Sequence, residues 1–366
     1  MASFDELAKD WIGGLSTYEP GRPIEEVARE LGFDSAADII KLASNENSLG
    51  PSPLAVEAIR EGAEAMHRYP DGGAFYLKKA LASKLGVRPQ EILPGNGSNE
   101  LIEFIGHTFL GPGVNVVVAD TAFVVYRLIA AMFRADVVAV PMRELTHDLD
   151  AMLAAITPET RVVFVSNPNN PTGTMVGQEE IDRFMEGVPG HVVVCFDEAY
   201  IELLPPGDQP DVLKYVRQGR NVIVLRTFSK AYGLAGLRVG YAIAPEEGIA
   251  LLNRVRQPFN LNSMAQLAAL AALGDDEHVA VTRDLVQDGL SFFVGECFRM
   301  GLEYVPSVTS FILVKVGEGR RVFESLQKAG VIVRPMDGYG LPEYVRITVG
   351  TADENQRAIA ALSEAV

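Results

Sequence analysis

The chain is organised around residues 221–238, which read NVIVLRTFSKAYGLAGLR. The apolar run 221–225 predicts a buried parallel strand, so Lys230 lies just past a carboxyl strand end, where open α/β sheets bind ligands. A lysine amine attacks an aldehyde only when burial or a nearby cation lowers its pKa enough to remove the proton. Arg238, between two apolar residues, needs an anionic partner such as a phosphate. The segment predicts a Schiff-base lysine, although a surface Ser-Lys pair after a strand fits it equally well.

Two upstream strands are predicted to end at the same edge of the sheet. Residues 192–196 form an apolar run before Asp197 and Tyr200, whose side chains could meet a ring nitrogen and a phenolate oxygen. Residues 162–165 form another, before a loop whose two prolines and glycine leave Asn170 as a side-chain donor. Each residue alone is commonly a turn or loop residue. Their order at successive strand ends makes coincidence improbable.

A glycine-rich turn, GNGSNE at residues 95–100, opens a helix predicted over residues 100–110. The free backbone N–H groups at such a helix start form a seat for a phosphate. The turn is not a dinucleotide-binding fingerprint, because Glu100 occupies the place of the third glycine. A nicotinamide-dependent dehydrogenase is therefore disfavoured. Without other support, the segment could also be only a tight turn.

The composition indicates an acidic protein with more than one core. At 366 residues the chain exceeds one typical domain, and a hydrophobic content of 48% is enough for two cores. The net charge of −16 comes without a basic stripe, which disfavours nucleic-acid and anionic-membrane partners. A site for anions must therefore gather its own positive charge.

Cysteine and histidine usage predicts a reducing compartment and no metal site. Cys195 and Cys297 are too few for a disulfide framework, and Cys195 lies in a predicted core strand. Five histidines, at positions 67, 107, 147, 191 and 278, show no ligand spacing, and we expect surface or helix roles for all of them. The first residues carry acids where a signal peptide carries bases, and no uncharged apolar run reaches membrane-spanning length. We therefore expect a cytoplasmic protein.

Changes of pattern divide the chain into an arm and two domains. Residues 1–40 are expected to form an N-terminal arm with a helix over residues 24–31. Residues 41–260 alternate apolar runs with amphipathic helices, which is typical of a parallel sheet covered on both faces. Residues 261–366 are expected to form a smaller α/β domain, with helices over 263–273 and 277–300 and strands over 311–316, 331–334 and 344–349.

The order amide, acid with tyrosine, lysine and arginine resembles that of the fold-type I pyridoxal-phosphate aminotransferases, over nearly the whole chain. Within that family the chain is similar to the histidinol-phosphate aminotransferases in four further segments: YEPGRP (18–23), LASNEN (42–47), RYPD (68–71) and VRITVGT (345–351). The resemblance implies a large domain with a mainly parallel seven-stranded sheet, a smaller C-terminal domain on which the N-terminal arm packs, and pyridoxal 5'-phosphate as cofactor.

The resemblance also implies the contacts of the cofactor. Lys230 would bind it covalently, Asp197 would pair with the ring nitrogen, and Asn170 and Tyr200 would contact the ring hydroxyl oxygen. Lys230, Asp197 and Tyr200 would be the catalytic residues. The cofactor phosphate would be held by Gly97, Ser98, Asn99, Thr227, Ser229 and Arg238.

Two aromatic residues gain a role only through the resemblance. Phe123, which follows a strand predicted over residues 114–118 and begins a helical pattern, would stack on the ring where many relatives carry tyrosine. Taken alone it reads as a core aromatic at a helix start. Tyr69 would reach the cofactor phosphate of the neighbouring subunit in a homodimer. Taken alone it reads as a turn residue.

Four residues are implied to bind substrate: Tyr18, Asn47, Arg334 and Arg346. Arg346 would bind a carboxylate, and the two arginines together would bind a substrate phosphate, because one planar guanidinium can grip either anion. From the residues alone, both arginines could face solvent at a sheet edge, Arg334 more readily than Arg346.

We therefore expect transamination between histidinol phosphate and 2-oxoglutarate, giving imidazole-acetol phosphate and glutamate in histidine biosynthesis. Thr17 and Ser48 stand where these enzymes usually carry proline. The departures keep open an aromatic amino-acid aminotransferase and, less closely, a pyridoxal-phosphate-dependent decarboxylase of a phosphorylated amino acid. A cofactor-binding regulator on this fold would need an added pair of DNA-binding helices and a basic surface, and the sequence has neither.

Overall fold

The computed structural model of the chain describes residues 3–15 and 24–366. In this part of the chain the α-helices are, in order, α1 Phe4–Leu7, α2 Ile24–Leu31, α3 Pro53–Gly62, α4 Phe75–Leu85, α5 Gly97–Phe109, α6 Val125–Met132, α7 Leu149–Ala154, α8 Gln178–Gly187, α9 Leu213–Arg217, α10 Glu246–Arg254, α11 Ser263–Ala272, α12 Asp276–Met300, α13 Gly319–Lys328 and α14 Ala352–Ala365. Every one of these helices is too short or too polar to cross a membrane.

The strands form one large and two small sheets. They are β1 Ile40–Lys41, β2 Ile92–Gly95, β3 Asn115–Ala119, β4 Asp136–Val140, β5 Thr160–Ser166, β6 Val193–Asp197, β7 Val222–Thr227, β8 Gly240–Ile243, β9 Tyr304–Val305, β10 Phe311–Lys315, β11 Val331–Ile332, β12 Arg334–Pro335 and β13 Tyr344–Thr348. Seven of them make the large sheet, in the order β2-β8-β7-β6-β5-β3-β4. Only β8 runs antiparallel to its neighbours there, which confirms the predicted mainly parallel sheet.

The large sheet is buried on both faces because its strands are apolar without alternation. In β5, Val163 and Val165 pack into one hydrophobic cluster, whereas Val162 and Phe164 pack into a second cluster on the opposite face. Each fully buried side chain of this kind contributes about 1.5–3 kcal/mol relative to an exposed one. Helices therefore cover both faces, and the loops at the strand ends remain for binding.

The register brings the predicted site residues to one edge. Ser166 at the end of β5 lies opposite Asp197, and Asp197 lies opposite Leu225 of β7. Thr227 at the end of β7 lies opposite Gly240, where the antiparallel β8 begins. The carboxyl ends of three parallel strands and the start of β8 therefore meet at the same place.

Helix α5 begins at Gly97, three residues earlier than predicted. The glycine adopts a positive φ of 78°, which L side chains rarely take, so the chain can enter the helix directly from β2. Conversely, α6 begins at Val125, and Phe123 precedes the helix. Gly97, Ser98 and Asn99 therefore form the first turn of α5, whereas Phe123 lies in the loop before α6.

The strand predicted over residues 331–334 is wrong as a single element. Val331 and Ile332 pair in parallel with Ile40 and Lys41, whereas Arg334 and Pro335 pair antiparallel with β13 in the sheet β12-β13-β10-β9. The N-terminal segment takes the hydrogen bonds of β11, since the Ile40 N–H donates to the Gly330 carbonyl. The strand breaks because its first half pairs with β1 and its second half pairs with β13, and these two strands lie far apart in sequence.

The segment before β1 contacts both parts of the molecule. Val27 and Ala28 of α2 form a small hydrophobic cluster with Ile332, beside the small sheet. By contrast, the Trp11 indole N–H donates to the Met132 carbonyl at the end of α6, which covers the large sheet. The two-domain division and its boundaries remain a prediction.

His147 corrects the expectation of surface or helix roles for all histidines. Only 2% of its surface is exposed, and Nε2 lies 2.9 Å from the Ser166 carbonyl oxygen, just before α7. Burial lowers the pKa of His147 to about 4, so the ring is neutral at physiological pH. His147 therefore packs against the strand end that carries Ser166.

Candidate active site

The loops at the edge of the large sheet enclose a cavity of about 220 Å³. Its walls contain twelve of the residues predicted from the sequence to bind cofactor or substrate. They are Ser98, Asn99, Phe123, Asn170, Asp197, Tyr200, Thr227, Ser229, Lys230, Arg238, Arg334 and Arg346. The fold thus gathers, from the large sheet and from the four-stranded sheet, residues that are up to 248 positions apart, from 98 to 346.

Lys230 lies at the centre of the cavity, where its amine is held by backbone carbonyls. Nζ donates to the Ser44 carbonyl at 3.2 Å and the Asn45 carbonyl at 3.0 Å, and lies 5.6 Å from the centre of the Tyr200 ring. Desolvation, and then the positive charge of Arg346, lowers the pKa of Lys230 to about 8. The neutral amine, which is the nucleophilic form, is therefore much more abundant near neutral pH than in an ordinary lysine.

Of the two carboxylate oxygens of Asp197, one accepts a hydrogen bond from a side chain and the other has no hydrogen-bond partner among the described residues. Its Oδ2 accepts a hydrogen bond from the Tyr126 hydroxyl at 2.7 Å. Its Oδ1 is buried and has no hydrogen-bond partner among the described residues. Burial raises the pKa of Asp197 to about 6, opposed by the Tyr126 hydrogen bond, by the backbone N–H of Ala199 and by the charge of Lys230. A protonated ring nitrogen would satisfy Oδ1, so the carboxylate fits the role predicted for it.

A cradle for a phosphate lies at the start of α5. A Cβ added at Gly97 would lie 2.7 Å from Arg238 Nη2, so only glycine lets the guanidinium approach the helix start. Arg238 Nη1 donates to Ser229 Oγ at 3.3 Å, and Thr227 Oγ1 donates to the same oxygen at 3.0 Å. The helix start, the guanidinium and the two hydroxyls together fit a phosphate.

The remaining residues predicted to contact the cofactor also line the cavity. Tyr200 is buried and its hydroxyl accepts a hydrogen bond from Asn45 Nδ2 at 2.9 Å. Burial raises the pKa of Tyr200 to about 12, which keeps the phenol protonated and able to donate. Phe123 is half-buried and its ring meets Tyr126 edge to face, 5.8 Å between centroids. Asn170 Oδ1 accepts a hydrogen bond from Arg346 Nη1.

Two arginines form the other end of the cavity. Arg334 of β12 and Arg346 of β13 lie directly opposite each other in the antiparallel pair. Arg346 is only 6% exposed, its Nη2 donates to the Ala43 carbonyl at 2.9 Å, and its guanidinium lies 5.0 Å from the centre of the Phe311 ring. Arg334 is half-buried and lines the cavity, so it does not take the solvent-facing position that the sequence alone allowed more readily for it than for Arg346.

Two residues predicted for the site, Asn47 and Tyr69, lie outside the cavity. Asn47 uses its amide on the Ala231 carbonyl at 3.1 Å and on Thr282 Oγ1 at 3.0 Å, outside the cavity. Tyr69 is 83% exposed and stacks on Phe259, with ring centroids 4.8 Å apart. Tyr18 lies outside the described residues. Asn47, Tyr69 and Tyr18 therefore remain predictions.

Sequence reasoning missed Tyr126 and assigned no role to Asn45. Tyr126 follows Phe123 by three positions, the spacing that brings two side chains to one side of a helical turn. Asn45 lies in the LASNEN segment, which was noted without a role for this residue. Among the described residues, no group of three or more metal-binding side chains occurs.

Four cationic side chains face this cavity in a chain whose net charge is −16: Lys230, Arg238, Arg334 and Arg346. The cavity offers Asp197 as the opposing carboxylate. Two separate anions can therefore bind, one at Arg238 and one at the arginine pair, with the lysine amine between them.

Comparison with known proteins agrees with this geometry. The model of the family "Aminotransferase class I and II" matches residues 37–362. Histidinol-phosphate aminotransferases of Akkermansia muciniphila and Moorella thermoacetica are 55% and 49% identical to the chain, covering 99% and 97% of it and 99% and 92% of their own lengths. The crystal structure of histidinol-phosphate aminotransferase from Sinorhizobium meliloti in complex with pyridoxal-5'-phosphate has a TM-score of 0.87 at 29% identity, with 95% of each chain covered.

Proposed function

The chain belongs to the class I and II aminotransferases, and we propose that it transfers the amino group of histidinol phosphate to 2-oxoglutarate. It is an aminotransferase that depends on pyridoxal phosphate. The products of the proposed reaction are imidazole-acetol phosphate and glutamate, and the step belongs to histidine biosynthesis. Relatives that are 55% and 49% identical carry the same activity in their names.

The cavity fits pyridoxal phosphate at three places. The cradle of Gly97, Ser229 and Arg238 would hold the phosphate, Asp197 Oδ1 would accept the proton of the ring nitrogen, and Lys230 would bind the aldehyde. When bound, the cofactor supplies an aldehyde for the amino group and a protonated ring that draws electrons from the substrate α-carbon.

The residues of the chain supply the proton transfer and the orientation. Lys230 Nζ, with its lowered pKa, would carry the proton from the α-carbon of the amino substrate to the carbon that had carried the aldehyde. The negative charge of Asp197 would keep the ring nitrogen of the bound cofactor protonated. Tyr200, whose phenol stays protonated, would donate to the ring oxygen, and Asn170 would add a second contact there.

The pair Arg334 and Arg346 is the observation that carries the substrate assignment. Two guanidinium groups opposite each other, facing the cavity that holds Lys230, match a dianion better than a single carboxylate. Histidinol phosphate has a phosphate and no carboxylate, whereas glutamate and 2-oxoglutarate have two carboxylates. The same pair can therefore serve both half-reactions.

We also infer a homodimer in which Tyr69 completes the neighbouring site. Tyr69 lies outside the cavity of its own chain, and its ring is almost fully exposed. Exposed aromatic rings cluster nearby in sequence, with Phe75 at 61% and Tyr76 at 70% exposure. A surface of this kind favours contact with another protein surface.

We infer a cytoplasmic location from the state of the cysteines. Cys195 and Cys297 are both free and buried. Two unpaired thiols are compatible with a reducing compartment.

A single half-reaction tests the substrate. The purified enzyme in its pyridoxal form is mixed with histidinol phosphate, histidinol or phenylalanine, and the loss of the cofactor's absorbance gives kcat/KM for each. We expect histidinol phosphate to exceed the other two by about ten- to a hundredfold, because a buried phosphate contact with arginine contributes about 1.5–3 kcal/mol. Equal or better use of phenylalanine would identify an aromatic amino-acid aminotransferase. Release of carbon dioxide from a phosphorylated amino acid would identify a decarboxylase.

A further inference from the structure

Tyr126 is a buried phenol whose hydroxyl bonds the carboxylate of Asp197. Neither residue is more than 3% exposed, and the hydroxyl donates to Oδ2 at 2.7 Å. The second oxygen of the same carboxylate, Oδ1, is the one without a partner among the described residues, and Asp197 lines the cavity. The phenol therefore occupies one oxygen and leaves the other for a ligand.

The ring of Tyr126 is fixed on both sides. It stacks on Phe164 of β5 with centroids 4.6 Å apart and an interplanar angle of 9°. Phe123, which lines the cavity, meets its edge at 5.8 Å. Tyr126 sits in the first turn of α6, whereas Asp197 ends β6. Because the stacked ring cannot turn without disturbing the core, its hydroxyl has one position.

A carboxylate held at one oxygen cannot rotate freely about its Cβ–Cγ bond. A hydrogen bond to a charged group is stronger than one between neutral groups, and burial from water strengthens it further. The Tyr126 hydroxyl also opposes the effect of burial, which by itself favours the neutral form of Asp197. The phenol therefore fixes the direction of the carboxylate and, together with the Ala199 N–H and Lys230, favours its charged form.

We propose that Tyr126 is a positioning residue for the reaction: it fixes Oδ2 of Asp197 so that Oδ1 is presented to the ring nitrogen of the cofactor. The proposal rests on pyridoxal phosphate as the cofactor and is independent of the amino substrate. Tyr126 itself touches neither substrate nor the reacting atoms. It acts through Asp197.

The surroundings of Asp197 supply few other charges. Five titratable groups either shift the pKa of Asp197 or have their own pKa shifted by its charge, and they come from three parts of the fold. Lys230 follows β7 and Tyr126 lies on α6, whereas Cys195, Glu198 and Tyr200 lie on β6 or in the loop after it. Burial holds the pKa of Cys195 well above its ordinary value, so this thiol stays neutral. The Tyr126 hydroxyl, which comes from α6, donates a side-chain hydrogen bond to the Asp197 carboxylate at the end of β6.

The first test measures the ring nitrogen in the holoenzyme. Tyr126→Phe keeps the stacked ring and removes the hydroxyl, and the 15N chemical shift of a labelled cofactor reports the protonation of its ring nitrogen. Without the phenol the carboxylate becomes more basic and takes more of the shared proton. We expect the 15N signal of Tyr126→Phe to move toward that of an unprotonated pyridine. A signal identical to that of the wild-type enzyme would overturn the proposal.

Tyr215→Phe is the matched control. The Tyr215 hydroxyl bonds Asp182, a tyrosine–aspartate pair between α9 and α8 that lies outside the cavity. Its loss removes the same chemical contact elsewhere in the molecule. The 15N signal of Tyr215→Phe should equal that of the wild type. If the 15N signal moved equally in Tyr126→Phe and Tyr215→Phe, the loss of any tyrosine–aspartate hydrogen bond would be enough to move it. That result would also overturn the proposal.

A second measurement covers a variant that binds the cofactor poorly. Infrared difference spectra of the cofactor-free protein follow the carboxyl band of Asp197, identified by its loss in Asp197→Asn, as the pH is changed. We expect Asp197 in Tyr126→Phe to titrate about one to two pH units higher than in the wild type. An unchanged midpoint contradicts the proposal. If the amino substrate is not histidinol phosphate, the expected results of both measurements stay the same. If the wild-type protein binds no pyridoxal phosphate, the cofactor assignment is wrong, and the role proposed for Tyr126 is wrong with it.

Discussion

The two ends of the active-site cavity are built differently. The cofactor end is built mainly at the edge of the large sheet, and its phosphate cradle includes a local contact, since Arg238 bonds Ser229, nine residues away. The anion end is assembled from distant parts, since Arg346 bonds Asn170 and the Ala43 carbonyl, 176 and 303 residues away. The first end is set once the large sheet forms. The second depends on how the small sheet and the N-terminal segment meet it, so substitutions there should change substrate choice rather than cofactor binding.

The largest expected effect is at the cofactor end. Lys230→Ala should slow both half-reactions by at least about a thousandfold, because it removes the nucleophile and the proton carrier together. Kinetics of the half-reactions with histidinol phosphate and with glutamate measure the loss. Borohydride reduction of the wild type, followed by peptide mapping, should place the cofactor on Lys230. Cofactor on another lysine would refute the described cofactor end.

Substitutions at the anion end should separate the two substrates. Arg334→Ala should lower kcat/KM for histidinol phosphate by about ten- to a hundredfold and affect glutamate less, whereas Arg346→Ala should impair both. Arg161→Ala is a matched control, since Arg161 lies near the opposite end of β5 and bonds backbone carbonyls. Cofactor content should stay unchanged in all three variants. An equal loss with both substrates in Arg334→Ala would contradict a division of labour between the arginines.

A mixed dimer tests whether the cavity is completed by a second chain. Lys230→Ala and Tyr69→Ala should each be inactive or nearly so when pure. Mixed and allowed to exchange subunits, they should regain activity in at most about a quarter of the sites, because a mixed dimer contains one site with both native residues. The measurement is activity against time after mixing, with exchange followed independently by mass spectrometry. Exchange without recovery would leave Tyr69 with a role in its own chain or none.

The smallest effect concerns the pH dependence of cofactor capture. Neutral Lys230 attacks the aldehyde, and its pKa is lowered to about 8. The capture rate of the cofactor-free protein should therefore rise with pH through about 8 and level off above about pH 9, whereas an ordinary lysine would continue to accelerate toward its pKa of about 10.4. Stopped-flow absorbance gives the profile. A rate that still climbs steeply at pH 10 would mean that burial and the arginines do not act on this amine.

The cofactor end could be predicted from sequence because its residues follow strands directly. Asn170, Asp197 and Lys230 each come within a few residues of an apolar run, and parallel strands bring their carboxyl ends together. No such rule places Tyr126 beside Asp197, since the two are 71 residues apart and belong to different elements. The sequence around Tyr126 indicates only a buried residue of the core.

The anion end was less predictable for the same physical reason. Residues 331–334 read as one strand, because nothing local shows that Ile40 and Lys41 pair with Val331 and Ile332. The break also decides where Arg334 lies, since only its pairing with Arg346 brings it to the cavity. Periodicity shows which face of a strand is apolar, but it does not identify a partner almost 300 residues away.

The most direct test of the two-ended site is a crystal structure of the enzyme with pyridoxal phosphate and histidinol phosphate bound. We predict that the cofactor phosphate lies at Arg238 and the start of α5, with the ring nitrogen on Asp197 Oδ1. The substrate phosphate should lie within hydrogen-bond distance of both Arg334 and Arg346. A substrate phosphate that points to solvent, without contact to either arginine, would contradict the account.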